Sequence, residues 1–207
     1  SEQTCTLPVN KQQRTRMVIC PSFSVGIVGQ SRTVPYGCGR YIKKRRRCGA
    51  YVRSGDDAVL IDTPPEMRMA CVELGIDKVD AVALTHAHMD HVAGFDDIRR
   101  FNTINGRWVE CDANSEGSGG RTMRCLGKVM PCYASAETEA KMHAIFPYIT
   151  DKGGAHGLYR PMIEFRNEDE FHVGSIAFTR LAVEHGFPCC GYLIGGKIAY
   201  MSDCHEL

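Results

Sequence analysis

From Met17 onward, apolar positions either alternate with polar ones or run unbroken between clusters of turn-forming residues, whereas residues 1 to 16 are polar and unpatterned. The first segment reads as a flexible N-terminal arm, and residues 17 to 207 read as one domain. The apolar run Met17 to Gly29 predicts a first strand. It follows Lys11, Arg14 and Arg16 as a signal peptide's core would, but it starts late and contains Pro21, Ser22 and Ser24. Gly49 to Arg53 and Ala58 to Asp62 predict a hairpin about Ser54-Gly55-Asp56-Asp57. Pro65 suits a first helical turn and Gly75 a stop, so a helix is expected from about Pro65 to Leu74. The stretch Asp80 to Thr85 is apolar throughout its middle, the pattern of a strand covered on both faces.

Beyond it the pattern loosens. Residues 110 to 128 carry Asn114, Ser115, Gly117, Ser118, Gly119 and Gly120, which predicts a flexible insertion and a candidate lid. A strand over Val129 to Ala134 and a helix over Glu137 to Tyr148 follow. Four further strands are expected over Met162 to Arg166, Phe171 to Glu184, Gly191 to Ile194 and Lys197 to Ser202. Strands and helices in this order give an α/β class with a sheet-rich second half. No apolar run is long enough to span a bilayer, so no membrane partner is expected.

Composition narrows the picture. A chain of 207 residues, 43% hydrophobic and 24% charged, can bury a core of its own. Twenty-five basic against 24 acidic residues leave a net charge of +1, which excludes a global field for nucleic acid or anionic lipid. Eleven cysteines are an odd number and sit mostly in strand-like text, which fits free thiols and a cytoplasmic setting. The run Lys43-Lys44-Arg45-Arg46-Arg47 reads as a solvated loop before a strand, and Trp108 alone makes no base-stacking platform, so nucleic acid is not the favoured partner. Adjacent Cys189 and Cys190 read as small packing residues.

The chemistry concentrates directly after the buried strand. His86, His88, Asp90 and His91 fall within six residues. Imidazoles so crowded repel when charged and lose solvation when buried, and a metal ion removes both costs. His86 and His88, two apart in an extended segment, point the same way and can pinch one ion, while the turn through Met89 aims Asp90 and His91 at a neighbouring one. Imidazole with carboxylate suits zinc, then manganese or iron, better than calcium or magnesium. His185 and Asp203 also follow predicted strands, though each taken alone reads as a structural histidine or a turn aspartate. Asp62, at its strand end, could accept the free ring N–H of a ligand histidine.

His86-Ala87-His88-Met89-Asp90-His91 resembles the H-x-H-x-D-H signature of metallo-β-lactamase-fold hydrolases, with Leu60-Ile61-Asp62-Thr63 upstream and Glu184-His185-Gly186 and Ser202-Asp203 downstream. Val34-Pro35-Tyr36-Gly37-Cys38, the basic run before Gly49 and Asp90-His91-Val92-Ala93-Gly94-Phe95-Asp96-Asp97 look like the PhnP-type phosphodiesterases. The likeness runs from about Met17 to the C-terminus. It implies an αβ/βα sandwich with the site at one edge. It further implies that His86, His88 and His185 bind one metal, that Asp90 and His91 bind a second, and that Asp203 bridges both.

Two departures qualify it. Cys38 is followed by Gly39-Arg40 rather than further cysteines, so no accessory zinc is expected. The family's chains continue past the bridging aspartate to another histidine ligand, whereas this sequence stops at Leu207. The expectation is therefore an incomplete second half of the sandwich, a weaker second metal site, and a second copy or completing chain as a partner. Asp90 and, as a substitute general acid, His205 are the catalytic candidates. The expected activity is hydrolysis of a small cyclic or nucleotide-like phosphodiester by hydroxide held between two metals, with zinc first among the candidates. The alternatives are another hydrolase of the fold, acting on a thioester, a lactam or a tRNA 3′ end, and a non-catalytic metal-binding copy.

Overall fold

The computed structural model describes residues 17–20, 23–29, 46–112, 121–149 and 160–203, with side chains described over 46–107, 126–149 and 160–203. The N-terminal arm, Lys43 to Arg45, the glycine-rich residues 113–120 and His205 lie outside the described residues.

Strands β1 (Met17–Cys20) and β2 (Phe23–Gly29) pair antiparallel, with Met17 opposite Gly26. The expected single strand is thus a hairpin. Proline has no N–H to give a ladder, and Pro21 divides an otherwise apolar run. The expected hairpin stands where it was read: β3 (Gly49–Ser54) pairs with β4 (Asp57–Ile61). Helix α1 (Met67–Leu74) leads to β5 (Ala81–Ala83), which runs parallel to β4 with every residue buried. The short helix α2 (Met89–Val92), a 3₁₀ turn over Phe95–Ile98 and α3 (Arg99–Ile104) follow. Within the expected flexible insertion, β6 (Arg107–Asp112) and β7 (Arg121–Leu126) instead form a regular antiparallel ribbon. Arg107 lies opposite Leu126 and Asp112 opposite Arg121.

Strand β8 (Met130–Tyr133), helix α4 (Ala136–Ile145), a 3₁₀ turn at Pro147–Ile149 and β9 (Ile163–Arg166) complete the larger sheet. Ser135 caps α4 by accepting the Thr138 N–H, so the helix starts close to the predicted point. The expected strand Phe171 to Glu184 is two strands, β10 (Glu170–Val173) and β11 (Ile176–Val183), paired antiparallel. The turn between them needs Gly174, whose φ is +55° and whose missing Cβ would fall 2.1 Å from the Asp57 carboxylate. Strands β12 (Cys189–Ile194) and β13 (Ile198–Tyr200) close the second sheet.

The seven-stranded sheet has the order β1-β2-β3-β4-β5-β8-β9, and the four-stranded sheet has β10-β11-β12-β13. Alternation along the central strands sorts their side chains into two cores. Leu60, Val82, Leu84 and Cys132 pack with Met67, Phe95, Ile98 and Met142 from the helical layer. Val59, Ile61, Ala81, Ala83 and Tyr133 face Phe171, Phe178, Tyr192 and Ile194 of the other sheet. The period of two along a strand makes one sheet serve both interfaces. No helix among the described residues is long and apolar enough to cross a membrane.

Candidate metal centre

Four strand ends converge at one rim of the sandwich. Asp62 follows β4, Thr85 to His91 follow β5, His185 follows β11 and Asp203 follows β13. The two sheets are stitched there by the Cys190 N–H donating to the Thr85 carbonyl at 3.0 Å. The loop after β4 is fastened to α2 by Thr63 N to His91 O at 2.7 Å and Gly94 N to Thr63 O at 2.8 Å. That approach requires glycine at 94, since a Cβ would meet the Pro64 carbonyl oxygen at 2.4 Å.

The predicted ligands are brought together. His86 Nε2 lies 2.9 Å from His88 Nδ1 and 3.6 Å from Asp203 Oδ2, which is 3.9 Å from His185 Nε2. His91 Nε2 lies 3.0 Å from the same Asp203 oxygen and 3.8 Å from Asp90 Oδ2. One set, His86, His88, His185 and Asp203, and a second, Asp90, His91 and Asp203, each keep their ligating atoms within 4.8 Å of one another. Asp203 belongs to both. The donor chemistry suits divalent metals: two imidazole nitrogens facing at 2.9 Å beside a carboxylate are crowded without a shared cation and satisfied by one.

Asp62 is buried, and its carboxylate organises this cluster from behind. It accepts from the Thr85 N–H at 2.8 Å, from the Thr85 hydroxyl, and from His91 Nδ1 at 2.8 Å. A carboxylate only accepts, so the Thr85 hydroxyl hydrogen is committed to Asp62, and Thr85 Oγ1 must accept from His86 Nδ1 at 3.0 Å. The network therefore assigns the Nδ1–H tautomer to His86, places a proton on His91 Nδ1, and turns both Nε2 atoms toward Asp203. The non-glycine residues with positive φ among those described are Asp62, at 60°, and Asp203, at 48°. Backbone strain of this kind concentrates where a side chain must be held in one place.

The two buried histidines titrate in opposite directions. Burial, together with His91 and His88 beside it, lowers His86 to about 4, so its ring is neutral near pH 7. Burial would lower His91 too, but the Asp62 hydrogen bond and charge, joined by Asp203 and Asp90, raise it to about 8.

Three neighbours were not singled out as site residues by the sequence. Thr85 links Asp62 to His86, Phe187 lies with its ring centroid 5.0 Å from that of His88, and Lys141 Nζ stands 3.5 Å from the Phe187 centroid. Adjacency to the histidine motif was the one clue to Thr85. Cys189 places Sγ 3.6 Å from His86 Nδ1, so it touches the site as well as packing, while Cys190 is buried as expected. Among the described residues, Cys71, Cys132, Cys189 and Cys190 are free thiols. Within the basic run, Arg46 pairs with Glu73 and Arg47 with Glu66, both on or beside α1.

A family model described as "Beta-lactamase superfamily domain" matches residues 57–207. The chain is 27% identical over 170 residues to an octanoyltransferase of Porphyromonas gingivalis (strain ATCC BAA-308 / W83), covering 81% of this chain and 30% of that protein. Among solved structures, a diphosphatase from the PhnP family superposes with a TM-score of 0.63 at 25% identity, over 84% of this chain and 62% of the other. The short form of human tRNase Z gives a TM-score of 0.55 at 12% identity, over 88% and 70% respectively, which is a likeness of fold. The chain thus spans less than two thirds of the octanoyltransferase and of the diphosphatase.

Proposed function

The chain belongs to the beta-lactamase superfamily, and from that premise we propose that it is a metal-dependent hydrolase of a small cyclic or nucleotide-like phosphodiester. The observation that carries the reading is the sharing of Asp203 between two ligand sets. Paired sites of this kind suit phosphoryl transfer, where charge builds on several oxygens at once. The likeness to a diphosphatase of the PhnP family supports a phosphoryl over an acyl substrate.

His86, His88, His185 and Asp203 would hold one divalent metal, and Asp90, His91 and Asp203 a second, with zinc preferred over manganese or iron for a histidine-rich set. When bound, such metals supply Lewis acidity that makes water a competent nucleophile near neutral pH. The chain's own groups do the rest. Asp62 and Thr85 keep the Nε2 atoms of His91 and His86 aimed inward. Asp90, with 41% of its side chain exposed and Oδ2 3.8 Å from His91 Nε2, would accept a proton from the attacking water. The departing alkoxide needs a proton in turn, and His205 is the candidate donor.

Zinc-loaded protein should turn over bis(p-nitrophenyl) phosphate and leave a thioester and a β-lactam untouched. Turnover of either of the latter without the diester would replace this reading with another hydrolase of the fold.

A further inference from the structure

Every other phenylalanine whose side chain is described is buried or packs half-buried against the core, whereas Phe187 is 47% exposed. A single exposed apolar side chain ordinarily needs no explanation. The position of this one gives it a consequence. Phe187 lies two residues after the candidate ligand His185, and its ring centroid stands 5.0 Å from that of the candidate ligand His88, with the two planes at 60°.

The ring is also held in place. Lys141 Nζ, on α4, stands over one face at 3.5 Å from the centroid, the usual meeting of a cation with the negative face of an aromatic ring. Helix α4 and the loop after β11 are thus joined through Phe187. Pro188 follows directly and restricts the backbone beyond it. With the lysine and the imidazole both in contact, nearly half of the residue remains open to solvent. A side chain already fixed loses little freedom when a ligand packs on it, so contact with it contributes to affinity at small entropic cost.

Chemistry narrows what would pack there. A substrate seated by its phosphate at the metal cluster has Phe187 within reach beside His88. A sugar would gain contact area from the ring, but a flat heteroaromatic group would gain stacking as well, which every base supplies through its π face. Met89, between His88 and Asp90 in the chain, is 55% exposed and offers a thioether, another side chain that packs well on rings.

We infer that Phe187 is a specificity-determining residue that stacks on a heteroaromatic base joined to the reacting phosphate, so that the site prefers nucleotide-like over cyclic sugar diesters. The inference rests on the phosphodiesterase reading for its biological meaning, but stacking itself is measured without turnover.

The test compares the binding of AMP and ribose 5-phosphate to the zinc-loaded 207-residue chain by calorimetry, since the two ligands share a phosphate and a sugar and differ by the base. AMP should bind about tenfold or more tightly than ribose 5-phosphate. In Phe187→Ala the ratio of the two affinities should fall to within about twofold of unity, and in Phe187→Trp it should hold or rise, because indole offers a larger face. Phe187→Leu keeps apolar bulk against His88 without a π face and should lose most of the preference too. It decides the matter if the alanine variant fails to fold or to retain zinc. Equal affinity for the two ligands in the wild type, failure of both to bind, or a full preference for AMP in Phe187→Leu would overturn the inference. A wild type that prefers AMP yet hydrolyses no phosphodiester would remove the proposed activity and leave the stacking role of Phe187 standing.

Discussion

The Asp62 carboxylate accepts the Nδ1–H of His91 at 2.8 Å in a pair whose side chains are both buried. Because the same carboxylate also takes the Thr85 hydroxyl hydrogen, Asp62 governs His86 at one remove. Each ligand set thus contains one imidazole oriented by a residue that need not touch a metal. Asp62→Asn keeps the shape but offers an amide hydrogen where an acceptor is required. It should weaken zinc binding by about 10–100-fold, the usual loss when a ligand's outer partner is removed. Chelator competition measures this, and an unchanged affinity would show that the buried network is purely structural.

His88→Ala reduces the three-histidine set to two while leaving Asp90, His91 and Asp203 intact. The variant as purified should lose most of one metal per chain. Elemental analysis of both proteins decides it, with equal metal content refuting the assignment of His88 as a ligand.

Asp90 is partly exposed and lies away from the buried core, so Asp90→Asn should cost little stability. Turnover of a phosphodiester should fall by about 10²-fold or more, because the carboxylate is both a ligand and the proposed proton acceptor. A variant that melts with the wild type yet keeps its turnover would remove Asp90 from the mechanism.

Far from the site, Asp57 ties the two sheets together by accepting from Ser175 N at 2.7 Å and Ser175 Oγ at 2.8 Å. Those donors lower its pKa below the ordinary 3.8. The folded carboxyl is therefore more acidic than the unfolded one. Its stabilising contribution is complete above the unfolded value and disappears as pH falls through the lower folded value. Chemical unfolding of metal-free wild type and Asp57→Asn should show a stability gap at pH 6 that narrows below about pH 4. A gap that is constant across this range would mean that the carboxylate charge plays no part.

Much of the site was legible from spacing because its ligands are chemically conspicuous. His86, His88, Asp90 and His91 form one local cluster after a strand whose unbroken apolar run marks it as central, and both facts are local. Asp62, His185 and Asp203 each stood only at a strand end, where the sequence supplies position but no partner. Their meeting point depends on a parallel pairing of β4 with β5 and on the second sheet folding across the first. Such pairings between distant segments leave no periodic trace.

The β1–β2 and β10–β11 hairpins were missed for a related reason. Pro21 and the Gly174-Ser175 pair sit inside apolar runs, so periodicity carried the strands straight through them. The turn at Gly174 becomes necessary only when the Asp57 carboxylate, 117 positions earlier in the chain, occupies the space beside it.

The sequence by itself determined the α/β class, the buried central strand, the histidine-aspartate motif and the family resemblance, since each is written in neighbouring residues. Only the tertiary structure decided that Thr85 transmits Asp62 to His86 and that Cys189 backs the same imidazole. Hydrogen-bond direction and burial depend on what surrounds a group in space, and that is set by the packing of two sheets rather than by any residue's own neighbours.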